Sequence, residues 1–222
     1  MSKNLLLEIG TEEMPANIMS GVVDQLRVLA ENAFGENRIS LKEITVYATP
    51  RRLAVLVKEA ADRQPDEEVK KRGPSMKAAF DEDGNPTRAA QGFARGQHID
   101  PSELIREGEY TWAHVVNEGK KIEDILPSLF TSLITGLNFT RSMRWADEEA
   151  RFIRPIRWIV ALCGSEVVPM EFAHVKSGRI SRGHRFLCKE DVTIESPENY
   201  KETMRKAFVI VDQDERRDMI RK

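Results

Sequence analysis

Three pairs of β-rich runs lie too close together along this chain to be parallel neighbours. Residues 44–48 and 53–57 are parted by Thr49-Pro50-Arg51-Arg52. Residues 104–105 and 110–116 flank a tip at Glu107-Gly108-Glu109, and 156–162 and 166–172 flank Cys163-Gly164-Ser165. A parallel crossover takes at least about 10–12 residues, so each pair is expected to fold back antiparallel. Between them, apolar residues recur at helical spacing. In 16–34 they are Ile18, Val22, Val23, Leu26, Leu29, Ala30 and Ala33; in 122–137 they are Ile125, Leu126, Leu129, Leu133 and Ile134. Each stripe predicts a helix laid on a sheet face. The expected fold class is α+β, with mixed, largely antiparallel sheets and flanking helices.

The rest of the chain fills in around these elements. Leu5-Leu6-Leu7-Glu8-Ile9-Gly10 reads as a short buried strand, making the first seventy residues a β-α-β-β unit. Residues 62–75, charged and interrupted by two prolines and Gly73, read as an exposed loop. Residues 81–86 form a turn without the ligand spacing of a calcium loop, and 89–95 a short helix. Ser196-Pro197 opens a helix to about 206, Val209-Ile210-Val211 reads as a strand, and a last helix starts at Asp214. The expected division is 1–70 and a second α+β unit at 71–222. Because the last helix has no cap, the chain reads as a fragment of a longer protein.

Composition narrows the function. No apolar run approaches the roughly 20 residues that span a bilayer, and no signal peptide is recognisable. Cys163 and Cys188 cannot build a disulfide framework; they lie in neighbouring strand regions and could meet as thiols in a reducing cytoplasm. The net charge of −2 excludes a globally basic coat, yet residues 141–189 carry ten basic and five acidic side chains, leaving −7 for the remainder.

That basic stretch holds the informative pattern. Arg141, Arg144, Arg151, Arg154 and Arg157 are interleaved with Trp145, Phe152 and Trp158. Arginine pairs bidentately with phosphate and aromatic faces stack on unpaired bases, a mixture that suits RNA. The competing reading makes the aromatics core and pairs the arginines with Asp147, Glu148 and Glu149. Arg179, Arg182, His184 and Arg185 surround Gly178 and Gly183, where a bare backbone could approach a phosphate. Glu12-Glu13 precede a helix and read as dipole-complementing rather than as a general base. The four histidines are too dispersed for a metal signature, and His114 reads as packed within a strand.

Several segments, taken in order, resemble the bacterial glycyl-tRNA synthetase beta subunit. They are the opening Leu5-Leu6-Leu7-Glu8-Ile9-Gly10-Thr11-Glu12-Glu13-Met14-Pro15, then Thr49-Pro50-Arg51-Arg52-Leu53-Ala54, Arg72-Gly73-Pro74 and Ala90-Gln91-Gly92-Phe93-Ala94-Arg95-Gly96. Met143-Arg144-Trp145, Phe152-Ile153-Arg154-Pro155-Ile156-Arg157-Trp158 and Gly183-His184-Arg185-Phe186 complete the set. The resemblance implies RNA-handling modules of the B3/4-like or body-tail-like kind. It implies a partner alpha subunit that carries the class II core and uses ATP and Mg, so this chain is expected to hold no cofactor, catalytic residue or metal site. The other implied partner is tRNA(Gly), bound within an α2β2 glycine–tRNA ligase in the cytoplasm and away from membranes. The candidate tRNA-binding residues are Arg51, Arg52, Arg144, Arg154, Arg157, Arg182, His184 and Arg185. The alternative, by similarity to the B3/4 domain of phenylalanyl-tRNA synthetases, is a hydrolytic editing module, for which no positioned general base can be nominated.

Overall fold

The computed structural model describes residues 2–145 and 150–222. In chain order the elements are β1 (Ser2–Thr11), α1 (Met19–Glu36), β2 (Glu43–Thr49), β3 (Arg52–Ala61), β4 (Glu67–Ser75), α2 (Met76–Ala79), α3 (Arg88–Gly96), β5 (Ile105–Glu107) and β6 (Tyr110–Asn117). They continue with α4 (Ile122–Thr135), β7 (Ile156–Cys163), β8 (Glu166–Val167), β9 (Glu171–Phe172), β10 (Val175–Gly178), β11 (Ile180–Arg182), β12 (Asp191–Thr193), α5 (Tyr200–Lys206) and α6 (Gln213–Arg221). Two compact units result, one from Met1–Gln64 with Lys120–Lys222, the other from Pro65–Gly119.

The larger unit is built on a sheet of order β2-β3-β1-β7-β10-β9, with β8 added to β7. The expected hairpins β2–β3 and β7–β8 are antiparallel, as are the contacts of β1 with β3 and β7. One pair, β10 with β7, is parallel, so the sheet is mixed. Alternation along the strands divides two cores. Leu5, Leu7 and Ile9 of β1 face Val22, Leu26 and Phe34 of α1 and Leu126, Leu129 and Phe130 of α4, all buried. Both helices therefore cover the same sheet face. Leu6, Ala54, Leu56, Val160 and Leu162 point the other way, against Val192, Ile194 and the α5 residues Tyr200 and Met204. Burial on both faces is why the β1 sequence is a continuous apolar run rather than an alternating one.

The smaller unit pairs β4 and β5 on either side of β6, both antiparallel. The hairpin expected at 104–116 is β5–β6, turning at Gly108 with φ +63°. Its core is built from small side chains, Ala79, Ala90, Ala94 and Ala113, with Leu104.

Four expectations are corrected here. Residues 62–75 are largely strand β4, not loop: β4 is an edge strand, and charge is how edge strands avoid pairing with other chains. Val209-Ile210-Val211 is an extended link between α5 and α6, with Val211 buried in the second core but without a ladder partner. Phe172 belongs to β9 and pairs with β10, so only 166–167 closes the hairpin on β7. The division at residue 70 gives way to one at 65–119, because β1 bonds along its length to β7 and ties the first strands to the later half of the chain.

Asp212 shows how the last helix is set in place. Its Oδ1 accepts from the backbone N–H groups of Asp214 (3.0 Å) and Glu215 (3.2 Å), capping α6. Its Oδ2 accepts from Lys201 at 2.8 Å, linking α6 to α5. Asp212→Ala is expected to lower unfolding stability by about 1 kcal/mol, the usual worth of an N-cap. Urea titration followed by circular dichroism measures it, and an unchanged midpoint would contradict the capping role.

Candidate nucleic-acid interface

The site begins with a row across three strands. Gly10 pairs with Arg52 on one side and Trp158 on the other. A Cβ at Gly10 would lie 1.9 Å from the indole of Trp158, so glycine is what lets the ring cross the strand. Three guanidinium groups gather over that ring, those of Arg51 (5.7 Å), Arg52 (5.6 Å) and Arg182 (5.5 Å to the centroid). Stacking on an aromatic face partly offsets the loss of water around the cations.

Beneath the row sits Glu8, 0% exposed. Its Oε1 accepts from Trp158 Nε1 and from Ser181 Oγ, each at 2.5 Å. Its Oε2 accepts from the Tyr200 hydroxyl at 2.5 Å and meets the buried Arg52 at 3.5 Å. Burial, and then the charge of Glu8, push the Tyr200 hydroxyl well above its usual range, so it stays a donor. Arg52 also donates to the carbonyl of Arg182 at 2.6 Å. One buried carboxylate thus joins β1, β3, β7, β11 and α5, and holds the backbone that presents Arg182.

Above the row, two adjoining clefts of about 460 and 400 Å³ share Arg51, Gly183 and Arg185. The larger adds Phe186, Phe208 and His184; the smaller adds Glu12, Arg182 and Lys189. Arg185 reaches Glu12 at 3.5 Å and Glu13 at 3.2 Å, and Arg157 reaches Glu12 at 3.2 Å. Arg154 donates its Nε to the backbone carbonyl of Glu13 at 3.1 Å. Among the described residues, Arg51 and Arg182 make no ion pair. The Nε of Arg51 is buried without a hydrogen-bond partner among the described residues. Burial, and then the charge of Arg185, push the Arg51 guanidinium below its usual value. Crowded cations of this kind are relieved by an anion.

Comparison with known proteins gives the chain's family. The model of the family described as glycyl-tRNA synthetase beta subunit matches residues 5–222. The chain belongs to that family. The glycine–tRNA ligase beta subunit of Desulfitobacterium hafniense is 50% identical over 99% of the chain and 32% of its own length. That of Halothermothrix orenii is 42% identical over 100% of the chain and 32% of its own length. The Lactobacillus gasseri protein of the same name is 44% identical over 99% and 32%. The chain therefore spans about a third of the length of these relatives. Four of the family-like segments, around Glu12, Arg51, Arg157 and Arg185, meet at this one end of the sheet.

Of the candidate residues, the structure brings together Arg51, Arg52, Arg182, His184 and Arg185 around the clefts, with Arg154 and Arg157 joined through Glu12 and Glu13. Arg144 stands apart, exposed beside the bridge between Met143 and Phe152 and lining neither cleft. The proposed carboxylate partners Asp147, Glu148 and Glu149 lie outside the described residues. Phe152 and Trp158 are buried and Trp145 packs on the first core, so the interleaved aromatics are core and not base-stacking faces. Gly183 gives room to Cys188 and to the Ala207 carbonyl, within 2.9 Å of a Cβ there, rather than to a ligand. Glu12 and Glu13 serve arginines, not a helix dipole. His114 is exposed on β6, not packed. The two cysteines belong to opposite faces of the sheet, Cys163 in the first core with its thiol pushed up to about 11 by burial, and Cys188 against the second.

Glu8, Ser181 and Tyr200 were not foreseen. The signal for Glu8 is present: one carboxylate inside an apolar run, on the same strand parity as Gly10. Nothing in the sequence marks Ser181 and Tyr200 as its partners.

Proposed function

We propose that this chain is a non-catalytic tRNA-binding and assembly part of a glycine–tRNA ligase. That ligase would be an α2β2 enzyme joining glycine to tRNA(Gly) in the cytoplasm, with ATP and Mg used by its alpha subunit. The observation that supports this most is the convergence of Arg51 with Arg182 and Arg185, from two distant segments, on clefts where Arg51 and Arg182 have no carboxylate partner among the described residues. Such contacts position a phosphate backbone without reading its sequence. No helix among the described residues is long and apolar enough to cross a membrane.

An editing role would need a base able to take a proton from water. Of the carboxylates bordering the clefts, Glu12 and Glu13 are engaged by Arg157 and Arg185, and Glu190 and Asp191 of the smaller cleft are exposed to solvent. The Nδ1 of His184 accepts from the backbone N–H groups of Phe186 and Leu187, both at 3.3 Å. Release of amino acid from mischarged tRNA above background would nevertheless overturn the non-catalytic reading.

Arg51→Ala and Arg182→Ala are each expected to weaken tRNA binding several-fold with base preference unchanged. For contacts to duplex regions, the log–log salt slope should flatten by about 0.9 per lost phosphate contact. Arg144→Ala should bind as the parent does. Affinities at two salt concentrations with melting temperatures decide it; parent-like affinity and slope in both cleft variants would sink the proposal.

A further inference from the structure

We propose that the larger cleft holds one unpaired nucleotide of an RNA strand, its base against Phe186 and Phe208 and its phosphate on Arg51. The inference rests on the RNA-binding reading above and names the occupant of that site. Both phenylalanines line the cleft of about 460 Å³, a volume typical of small-ligand pockets. They are 76% and 59% exposed, though aromatic rings of that size are normally sheltered.

Their presentation is built into the fold. Phe208 follows α5 with φ +60°, a left-handed conformation rare for a bulky side chain. It is pinned there because its own N–H donates to the Arg205 carbonyl (3.0 Å) and that of Val209 to the Met204 carbonyl (2.9 Å). Glycine or asparagine is the usual residue at such a helix end, so phenylalanine stands where conformational preference opposes it. The N–H of His184 donates to the Ala207 carbonyl at 2.9 Å, tying the segment that carries Phe186 to the one that carries Phe208. Gly183 permits that approach.

The rest of the cleft supplies the matching charge. Arg51 borders it with a buried, unpartnered Nε. His184, its Nδ1 occupied as an acceptor, has Nε2 left to donate in the same lining. A paired base keeps its faces within the duplex stack, so these rings suit only an unpaired one. A free nucleotide offers the same chemistry, which the test separates.

The test uses the full chain and fluorescence anisotropy with two probes, a labelled single-stranded adenosine hexamer and a labelled RNA duplex. Phe186→Ala and Phe208→Ala should each weaken hexamer binding about tenfold, the worth of one stacked base, and leave duplex binding and melting temperature unchanged. Phe186→Trp should keep the affinity, with indole fluorescence quenched as the hexamer binds. Hexamer affinity unchanged in both alanine variants, with the parent binding both probes, would overturn the pocket while sparing the RNA-binding reading. Equal weakening toward both probes would also overturn it. Failure of the parent to bind either probe would remove both readings. Displacement of the hexamer by adenosine 5′-monophosphate at equal nucleotide concentration would transfer the cleft to free nucleotides and overturn the strand assignment.

Discussion

Glu8→Ala is expected to destabilise the larger unit by about 3–5 kcal/mol, the range for breaking a buried ion pair from one side. The substitution removes the acceptor for Trp158, Ser181, Tyr200 and Arg52 together. Arg52 stays behind, 2% exposed, with a guanidinium whose Nε already lacks a partner. Its release would also loosen the Arg182 carbonyl it holds, so RNA affinity should fall along with stability. Urea unfolding measures the first effect and anisotropy the second. Replacing both charges, with Glu8→Met and Arg52→Met, should recover part of the loss, because apolar pairs of similar volume often substitute for buried ions at little cost. A loss under 1 kcal/mol for Glu8→Ala, or no recovery in the double variant, would refute this account.

Gly10→Ala is the second large effect, expected at about 3 kcal/mol from overpacking. Two terms compete. Alanine in a strand is favoured over glycine by roughly 0.5–1 kcal/mol through chain entropy. Against that, the new methyl would sit 1.9 Å from the Trp158 ring, which is buried and held at its Nε1 by Glu8. The ring is no flexible tip that can swing aside, so the clash decides the sign. Moving it would unseat Arg51, Arg52 and Arg182 together. Near-ultraviolet circular dichroism should lose part of its tryptophan signal, and Trp158→Phe in the Gly10→Ala background should restore some stability. Parent-like stability with an unaltered tryptophan spectrum would show that the packing is otherwise.

Much of the architecture was legible because it is local. Short links between β-rich runs force antiparallel neighbours, and the stripes at 16–34 and 122–137 specify helices before any partner is known. The family segments were legible as strings of residues, and so were the arginines among them. What they missed follows from the same locality. Charged β4 looked like loop, since an edge strand and a loop share a polar composition. Phe152 and Trp158 looked like possible stacking faces, since burial depends on what lies opposite.

Spacing along the chain set which residues form strands and helices, and its parity set that Glu8, Gly10 and Leu6 share one side of β1. Only the tertiary structure decided that α1 and α4 cover the other side together, and that Ser181 and Tyr200 close over Glu8. The site follows the same division. Arg51 and Arg185 are fixed by composition, but their meeting depends on β1 lying between β3 and β7. Contacts between residues so far apart in sequence carry no periodicity for a single sequence to display. They arise when two buried faces are closed at once, and a charge inside that closure must find its partners there or not be buried at all.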